Sequence, residues 1–392
     1  MNETSCCGPT STSPASACCG PAIHGTDDVA GKSTCCGAPK TRDTYSYDPA
    51  QYLAGEVQTA AGSVPRLSRQ LTRADRVGSW RMRWGFGRDD YRVRPALYAI
   101  GSPDAASPVL VTANYKLTLD ALRASLSDTD AWVLVVDTRG VNVWCAAGKG
   151  TFCAEEVARM VTEARLSEVV EHRRLVLPQL AAPGVAAHRV KQLCGFRVVY
   201  GPVRAADLPT FLADGMKADS EMRAVTFDID ERLVLVPAEL QYLWDRRVLL
   251  AYAGVIAASS VDSRGVSLRR GLRRGLPVVG AAGLAMVAGG AVTPALLPWL
   301  PGRAFSAKGA TAGAVLAAGT SLVLRRRLTP AAKLALLAGV PAGASYAAMN
   351  FTGSSTITSP SGVEHEMRRA LPLQIAGAAL AVGGWIASRM ER

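Results

Sequence analysis

Between residues 66 and 247, short apolar runs alternate with segments in which apolar and polar positions recur every three to four residues. The short runs, rich in valine and leucine, predict buried strands, and the second pattern predicts amphipathic helices. The predicted strands are 95–100, 109–112, 132–136, 174–177, 196–200, 224–227 and 233–236. The predicted helices are 117–126, 154–164, 185–193, 206–212 and 238–244. This alternation predicts an α/β domain with a mostly parallel sheet.

Residues 248–392 have a different pattern, with long apolar segments dominated by alanine, glycine, leucine and valine. A helix needs about 20 apolar residues to cross a bilayer. The segments of this kind are 276–300, 309–324, 334–349 and 371–388. A shorter segment, 248–261, is either a fifth span or a helix at the interface. We therefore predict an all-α transmembrane bundle of four or five helices after the α/β domain.

The net charge of +12 is concentrated partly in basic clusters beside these apolar segments. Attraction to anionic lipid explains such clusters, and no basic patch interleaved with aromatic residues is recognised, so nucleic acid is not a predicted partner. With four spans and the α/β domain inside, ten Lys or Arg residues flank the inner ends and four flank the outer ends. This asymmetry predicts a multi-pass protein of the cytoplasmic membrane with its α/β domain in the cytoplasm.

Residues 1–65 are rich in Ser, Thr, Ala, Gly and Pro and predict a flexible tail. Six of the nine cysteines lie there as vicinal pairs, which are Cys6 and Cys7, Cys18 and Cys19, and Cys35 and Cys36. Their spacing fits neither a zinc ribbon nor a ferredoxin cluster. Because paired thiolates suit soft cations such as Hg(II), we predict that the tail captures a soft metal. The alternative is a dispensable extension.

The stretch 140–152, read as GVNVWCAAGKGTF, carries the candidate chemistry. It follows a predicted buried strand and predicts a short helix, on which Cys145 is the reactive residue. A lone cysteine on a helix is usually a packing residue, so the surrounding motif decides its interpretation. Ala146, Ala147 and Gly148 are small, so a flat macrocycle could approach the helix backbone there.

Eight consecutive residues of this chain, NVWCAAGK, resemble a known cap-helix motif. They are Asn142, Val143, Trp144, Cys145, Ala146, Ala147, Gly148 and Lys149. The motif belongs to the corrinoid protein of bacterial mercury methylation, the HgcA family. The segments VTANYKLT, LPQLAAPGVAAH and YGPVRAADLPTFL also resemble that family and, more distantly, the corrinoid domain of the corrinoid iron-sulfur protein large subunit. The resemblance runs from about residue 90 to the C-terminus and does not cover the tail.

The resemblance implies a cobalamin-type corrinoid cofactor, with the Cys145 thiolate as the lower axial ligand of its cobalt. The D-x-H-x-x-G signature that supplies a histidine to cobalt does not occur in the chain. The implied cofactor-binding residues are Asn142, Val143, Trp144, Ala146, Ala147, Gly148 and Lys149, together with the loop residues Thr112, Asn114, Gln179 and Gly184. Each polar loop residue could instead cap a helix or close a turn.

The function implied is that of a membrane-anchored corrinoid-dependent methyltransferase, which passes a methyl group to inorganic Hg(II) and forms methylmercury. Its implied partners are a methyltetrahydrofolate-linked methyl donor protein and a ferredoxin-like iron-sulfur reductant. Two alternatives stay open: a corrinoid methyl carrier of one-carbon or acetyl-CoA metabolism, and a non-catalytic, membrane-tethered binder of soft metals. Replacement of Cys145 separates the last alternative from the others, because metal capture by the tail would survive it.

Overall fold

The computed structural model describes residues 51–263, 265–352 and 360–391, and the three vicinal cysteine pairs lie outside these ranges. The described chain divides into two units, the first ending at Gln241 and the second beginning at Tyr242. From the sequence, this boundary was expected after residue 247.

A seven-stranded mixed sheet forms the centre of the first unit, with the strand order β1-β2-β3-β5-β4-β6-β7. Its strands are β1 Leu53–Thr59, β2 Gly62–Leu67, β3 Ala96–Ile100, β4 Val109–Ala113, β5 Ala131–Val136, β6 Arg174–Leu177 and β7 Arg197–Tyr200. The pairs β1-β2 and β3-β5 are antiparallel, and the other four are parallel. The predicted α/β domain with a mostly parallel sheet is therefore confirmed.

Helices cover both faces of the sheet, and two apolar clusters lie between the layers. On one face, Val111 and Leu134 belong to a cluster that includes residues of helices between positions 143 and 194. On the other face, Leu110 and Val133 pack with the helices that begin at Lys116 and Leu208. Because β4 and β5 are buried along their full length, both faces are apolar and their sequences read as continuous apolar runs. The helices of this unit are α1 Arg73–Arg83, α2 Lys116–Ser125, α3 Val143–Gly148, α4 Ala154–Glu163, α5 Leu166–Val169, α6 Ala187–Cys194, α7 Leu208–Ala213 and α8 Ile229–Leu240.

Two strand predictions are wrong. Residues 233–236 lie inside α8, because a short apolar run fits a helix as well as a strand, and acidic residues in the first turn favour the helix. Residues 224–227 form no strand, and Phe227 adopts a left-handed φ of 56° that interrupts an extended backbone.

The predicted tail also extends too far, because β1 and the start of β2 lie within residues 1–65. Tyr52 and Val64 are buried in the core of the first unit. The rest of β1 is largely exposed at the edge of the sheet, so its polar composition resembles that of an unstructured segment.

The second unit is helical. Its helices are α9 Arg246–Ser260, α10 Leu268–Val287, α11 Thr293–Ala295, α12 Phe305–Val323, α13 Pro330–Thr352 and α14 Pro360–Met390. A π-helical segment, Ala288–Val292, joins α10 to α11, and a two-stranded hairpin of β8 Val261–Asp262 and β9 Gly265–Val266 follows α9.

Three helical stretches in the described part of the second unit are long and apolar enough to cross a membrane, rather than the predicted four or five. They are Leu268–Ala295, Pro330–Phe351 and Gly362–Met390. Helix α12 has the length of a span, but Lys308 and several Ser, Thr and Gly residues lower its hydropathy. Helix α9 has only 15 residues, fewer than a span requires.

A buried ionic network fastens α1 to α2. The Nζ atom of Lys116 lies 2.6 Å from Asp75 and 2.7 Å from Asp120, and Arg123 contacts both carboxylates at 2.8 and 2.9 Å. Arg123 also donates hydrogen bonds to the carbonyls of Ser68 and Gln70. All four charged side chains are buried, so each charge depends on these partners to offset its lost hydration.

Acid should destabilise the fold through Asp75. Burial alone would raise the pKa of this carboxyl, but hydrogen bonds from Lys116, Thr72 and Arg123 outweigh burial and lower the pKa from 3.8 to about 2. A depressed pKa stabilises the folded state above the unfolded value, and here about 2 kcal/mol is lost as the pH falls from about 4 to 2. Acid titration of thermal unfolding measures this loss in the purified full-length chain.

The Asp75→Asn variant should lose about 3 kcal/mol of stability at neutral pH, because it leaves two buried cations with one carboxylate. It should also lose the acid-dependent component between about pH 4 and 2. Glu163→Gln, in the exposed ion pair with Arg159, is the control and should cost less than about 1 kcal/mol. Equal effects of the two substitutions would contradict a special role for the buried network.

Candidate functional site

Helix α3 follows β5 at the edge where the carboxyl ends of the parallel strands meet. Ligands of such sheets bind at this edge. The helix begins after Asn142, whose side-chain oxygen accepts a hydrogen bond from the Cys145 backbone N–H at 2.9 Å. Asn142 therefore acts as the N-cap and fixes the first turn, which carries Cys145. This is a structural role for a residue implied to bind the cofactor.

Helix α3 has two chemically different sides. Val143, Ala146 and Ala147 are buried, and the first two belong to the core on this face of the sheet. Trp144 and Cys145 are half-buried, whereas Gly148 and Lys149 are exposed. Because residues three and four apart share a helix face, Cys145 lies beside Gly148 and Lys149. The thiol, which forms no disulfide with the described cysteines, is therefore accessible from outside the core.

Gly184 packs directly against α3. A Cβ atom at this position would lie 2.7 Å from the Cα of Ala147 and 2.6 Å from the carbonyl oxygen of Phe152. Only glycine permits this approach without a shift of backbone. The small residues Ala147 and Gly184 thus serve contact between two protein segments, whereas a Cβ at Gly148 would meet nothing within 4 Å.

Asn114, at the end of β4, organises the loop that leads into α3. Its side-chain oxygen accepts hydrogen bonds from the backbone N–H groups of Thr138 and Gly140 and from the Thr138 hydroxyl, at 2.9 to 3.1 Å. Its amide nitrogen donates to Asp137 at 2.9 Å. Because Asn114 is only 1% exposed, its side chain bonds to these residues and is shielded from solvent. The structure thus places Asn114 as a support of the α3 loop.

The loop itself needs this support because it is a tight turn. Arg139 and Gly140 have φ values of 60° and 75°, in the left-handed region. The Thr138 hydroxyl, whose one hydrogen is shared between two acceptors, also lies 2.6 Å from the carbonyl oxygen of Val141. Asp137 accepts a hydrogen bond from the Arg139 N–H at 2.9 Å. The sequence analysis did not identify Asp137 and Thr138 as site residues. Their position directly after β5, next to the end of β4, is the signal that could have identified them.

Thr112 and Gln179, the other two predicted loop residues, lie in different elements of the first unit. Thr112 is buried in β4, and because side chains alternate along a strand it shares the face of Leu110, opposite the face that α3 covers. Gln179 begins a short 3₁₀ helix, Gln179–Ala181, that contacts α3. Its side-chain oxygen is buried and has no hydrogen-bond partner among the described residues.

The other cysteines of the first unit are packing residues. Cys153 is buried at the start of α4, and Cys194 donates a hydrogen bond to the carbonyl of Val190 at 3.3 Å. Burial raises the pKa of the Cys194 thiol. The described residues contain no group of three or more His, Cys, Asp or Glu side chains that could hold a metal ion.

Comparison with known proteins shows similarity over about a third of the chain. Residues 87–212 match the family model described as CO dehydrogenase/acetyl-CoA synthase delta subunit. The chain is 39% identical over 127 residues to the acetyl-CoA decarbonylase/synthase complex subunit gamma of Methanopyrus kandleri, and 32% over 127 residues to that of Archaeoglobus fulgidus. It is 32% identical over 122 residues to the corrinoid/iron-sulfur protein large subunit of Moorella thermoacetica.

Each of these similarities covers about a third of this chain, 32%, 32% and 31%, and 27% of the relative. The matched segment runs from the end of α1 to α7 and includes α3 and the loops around it. Residues 87–212 are thus similar to this family, and the chain resembles part of the gamma subunits and of the corrinoid/iron-sulfur protein large subunit. Helices α9 to α14 lie outside the matched residues.

Replacement of Asn114 by alanine should free the loop before α3. The Thr138 and Gly140 amides lose their buried acceptor, so their hydrogen exchange should accelerate about 10- to 100-fold, corresponding to about 1 to 3 kcal/mol. Hydrogen-deuterium exchange mass spectrometry of residues 136–146 in the full-length chain measures this change.

Thr112→Val is the matched control. Thr112 is buried in β4, two residues before Asn114, on the face of the sheet that α3 does not cover. The substitution should leave exchange in residues 136–146 unchanged. If Thr112→Val accelerated exchange as much as Asn114→Ala, the effect would reflect general weakening of β4.

Proposed function

We propose that this protein is a membrane-anchored, corrinoid-dependent methyltransferase and that the Cys145 sulfur would bind the corrinoid cobalt. The observation that carries the proposal is the Cys145 thiol on the open side of α3, in a domain related to corrinoid proteins. Its eight-residue motif resembles the cap helix of the mercury-methylation family.

The residues around α3 fit a corrinoid. A broad, flat ring needs an open helix side next to the ligand, and the space beside Gly148 is empty of protein atoms within 4 Å. The amide groups at the rim of a corrinoid need polar partners, and the buried oxygen of Gln179 has no partner among the described residues. Thiolate sulfur is a soft donor suited to a late transition metal. Trp144 and Lys149 would flank the ring on the same helix.

The bound corrinoid would supply a cobalt-held methyl group that can leave with the electron pair of its bond. The chain itself contributes orientation. Asn142 holds the first turn of α3, and Asn114 holds the loop before it, so the Cys145 sulfur has a fixed position relative to the sheet. Lys149 lies one turn further along the same side of the helix.

We propose inorganic Hg(II) as the methyl acceptor. Hg(II) is a soft electrophile that can accept the methyl group with its electron pair, which forms the mercury–carbon bond. The motif of residues 142–149 supports this choice. The cycle then needs a methyltetrahydrofolate-linked protein to supply each new methyl group and a ferredoxin-like iron-sulfur protein to restore the reduced cofactor. The vicinal cysteines of residues 1–36 would capture Hg(II) before transfer.

A second candidate follows from the comparisons. The relatives named above are subunits of acetyl-CoA decarbonylase/synthase complexes or a corrinoid/iron-sulfur protein. This chain would then be a methyl carrier of one-carbon metabolism, whose acceptor is a protein-bound metal centre. Both candidates need the same Cys145 site and differ only in the acceptor. The three apolar helices favour the membrane-bound transferase.

We also propose that the α/β domain lies in the cytoplasm. The Lys and Arg asymmetry that supports this orientation assumes four crossings, so we also propose that α12 crosses the membrane. Gly309 and Gly313 of α12 pack against α13 so closely that a Cβ would lie 2.5 and 2.7 Å from atoms of Ala344. Such small-residue contacts are typical of neighbouring membrane helices, and they favour α12 lying alongside α13 at the same depth.

Replacement of Cys145 tests the proposed ligand. The purified full-length chain in detergent, loaded with methylcobalamin, should show an absorption spectrum that differs from that of the free cofactor, and Cys145→Ala should abolish this difference. Transfer of methyl to added Hg(II) should fall at least about 100-fold, because the only sulfur donor at α3 is gone. Spectra and quantified methylmercury are the two measurements.

Cys194→Ala is the matched control, because Cys194 lies on α6 and serves packing. It should keep both the spectrum and the transfer rate. If Cys145→Ala kept the wild-type spectrum, Cys145 would not be the ligand. If the spectrum depended on Cys145 but no methyl reached Hg(II), the acetyl-CoA type of carrier would be favoured. If neither protein bound corrinoid, soft-metal binding by the tail would be the remaining candidate.

Two glycine substitutions separate cofactor contact from protein packing. Gly148→Ala adds a methyl group where no protein atom lies within 4 Å, so stability should stay unchanged while methylcobalamin affinity falls about 10-fold or more from steric conflict. Gly184→Ala should instead lower stability by about 1 to 3 kcal/mol, because its Cβ meets the α3 backbone. Thermal unfolding of the cofactor-free protein and cofactor titration measure the two effects. Unchanged affinity in Gly148→Ala would place the corrinoid elsewhere.

A further inference from the structure

Helix α1 is attached to the domain by one side only. Asp75 and Met82, seven residues apart, share that side and are both buried. Asp75 binds the ionic network of α2, and Met82 packs in a small cluster with two tyrosines. With 3.6 residues per turn, Val77 and Trp80 point to the opposite side. They are 56% and 59% exposed, values high for large apolar side chains.

This outward side combines apolar and cationic groups. The ring of Trp84, one turn after Trp80, lies with its centroid 6.1 Å from the Trp80 ring. Arg73 and Arg81 lie one turn before Val77 and one turn after it. Further arginines nearby are Arg76, Arg83 and Arg88. None of these five arginines forms an ion pair with another described residue. The sequence analysis recognised no basic patch interleaved with aromatic residues, and α1 is such a patch.

We propose that α1 lies in the headgroup region of an anionic bilayer, with Trp80 and Val77 at the acyl boundary and Arg73 and Arg81 at the lipid phosphates. Indole rings with one apolar and one polar side are favoured at this depth. Guanidinium groups bind phosphate with paired, charge-assisted hydrogen bonds. The amphipathic side of α1 therefore matches both layers of a membrane surface.

The same chain carries the means to bring α1 to a bilayer. Three helices long and apolar enough to span a membrane follow the α/β domain, the first of them starting at Leu268. A tethered domain meets the bilayer surface at high effective concentration, so a modest interfacial affinity is enough to hold α1 there. Single-stranded nucleic acid also binds arginine and aromatic groups, but the exposed aliphatic Val77 offers it no stacking partner.

Fluorescence quenching by brominated lipid tests the proposal in the full-length chain. The protein is placed in nanodiscs of phosphatidylcholine containing about one-third phosphatidylglycerol, with the bromine atoms near the headgroup end of the acyl chains. Trp80→Phe should lower the quenchable fraction of tryptophan emission, because it removes a lipid-facing fluorophore. Trp132→Phe is a control for which the quenchable fraction should change in the opposite direction. Trp132 is 2% exposed within the sheet, so its removal should raise the quenchable fraction.

The role of charge is measured by repeating the comparison of wild type and Trp80→Phe under other lipid and salt conditions. In discs of pure phosphatidylcholine, or at about 0.5 M salt, the contribution of Trp80 to quenching should fall by about half or more, because the attraction of arginine to lipid phosphate is screened or removed. The double substitution Arg73→Glu and Arg81→Glu should give the same loss in anionic discs at low salt.

Three results would overturn the proposal. Equal quenchable fractions in wild type and Trp80→Phe would show that Trp80 does not contact lipid. Quenching of Trp80 that ignored lipid charge, salt and the double substitution would remove the cationic part of the proposal. Binding of a single-stranded oligonucleotide that was lost in the double variant, without lipid quenching of Trp80, would assign this side of α1 to nucleic acid.

Discussion

The position of the Cys145 thiol depends on one buried amide. Asn114 ends β4, and its oxygen accepts three hydrogen bonds from the loop between β5 and α3. That loop contains two residues with left-handed φ, one of them Arg139, a conformation that costs free energy for a residue with a side chain. The amide of Asn114 offsets this cost, because without it the buried N–H groups of the turn would have no acceptor. Asn142, the N-cap of α3, follows this turn directly, so the turn also sets the position of Cys145.

The short length of α3 explains why so much of the surrounding structure supports it. An isolated helix of six residues is unstable in water, since nucleation fixes several dihedral angles for few hydrogen bonds. Tertiary packing replaces what the helix lacks: Val143 and Ala146 enter the core, and Gly184 approaches Ala147 to van der Waals contact. One side of the helix is thereby packed against the core, and the other side is open. Small residues at 146 and 147 permit the packing, and Gly148 lies on the open side.

The sequence predicts the central part of the fold well because its strands are apolar on both faces. The strands β3 to β7 and the helices between them follow from that pattern. Prediction from the pattern fails where burial and composition disagree. β1 is an edge strand of polar composition, and the apolar run at 233–236 lies in the helix α8. At the site, the motif identifies Cys145 and its neighbours. The supporting role of Asn114 depends on contacts between residues more than 20 positions apart, such as Thr138 and Gly140, and a local pattern carries no information about such contacts.

The end of β4 connects the proposed membrane contact to the candidate site. Tyr115 donates a hydrogen bond to the sulfur of Met82 at 2.6 Å, and Lys116 binds Asp75, so both buried residues of α1 attach to the chain directly after Asn114. Asn114 in turn holds the loop that leads into α3. A continuous series of buried contacts therefore connects α1 to the loop before α3. A bilayer that fixes the orientation of α1 would therefore also fix the direction in which Cys145 faces, and a methyl donor or acceptor could approach it only from a limited set of directions.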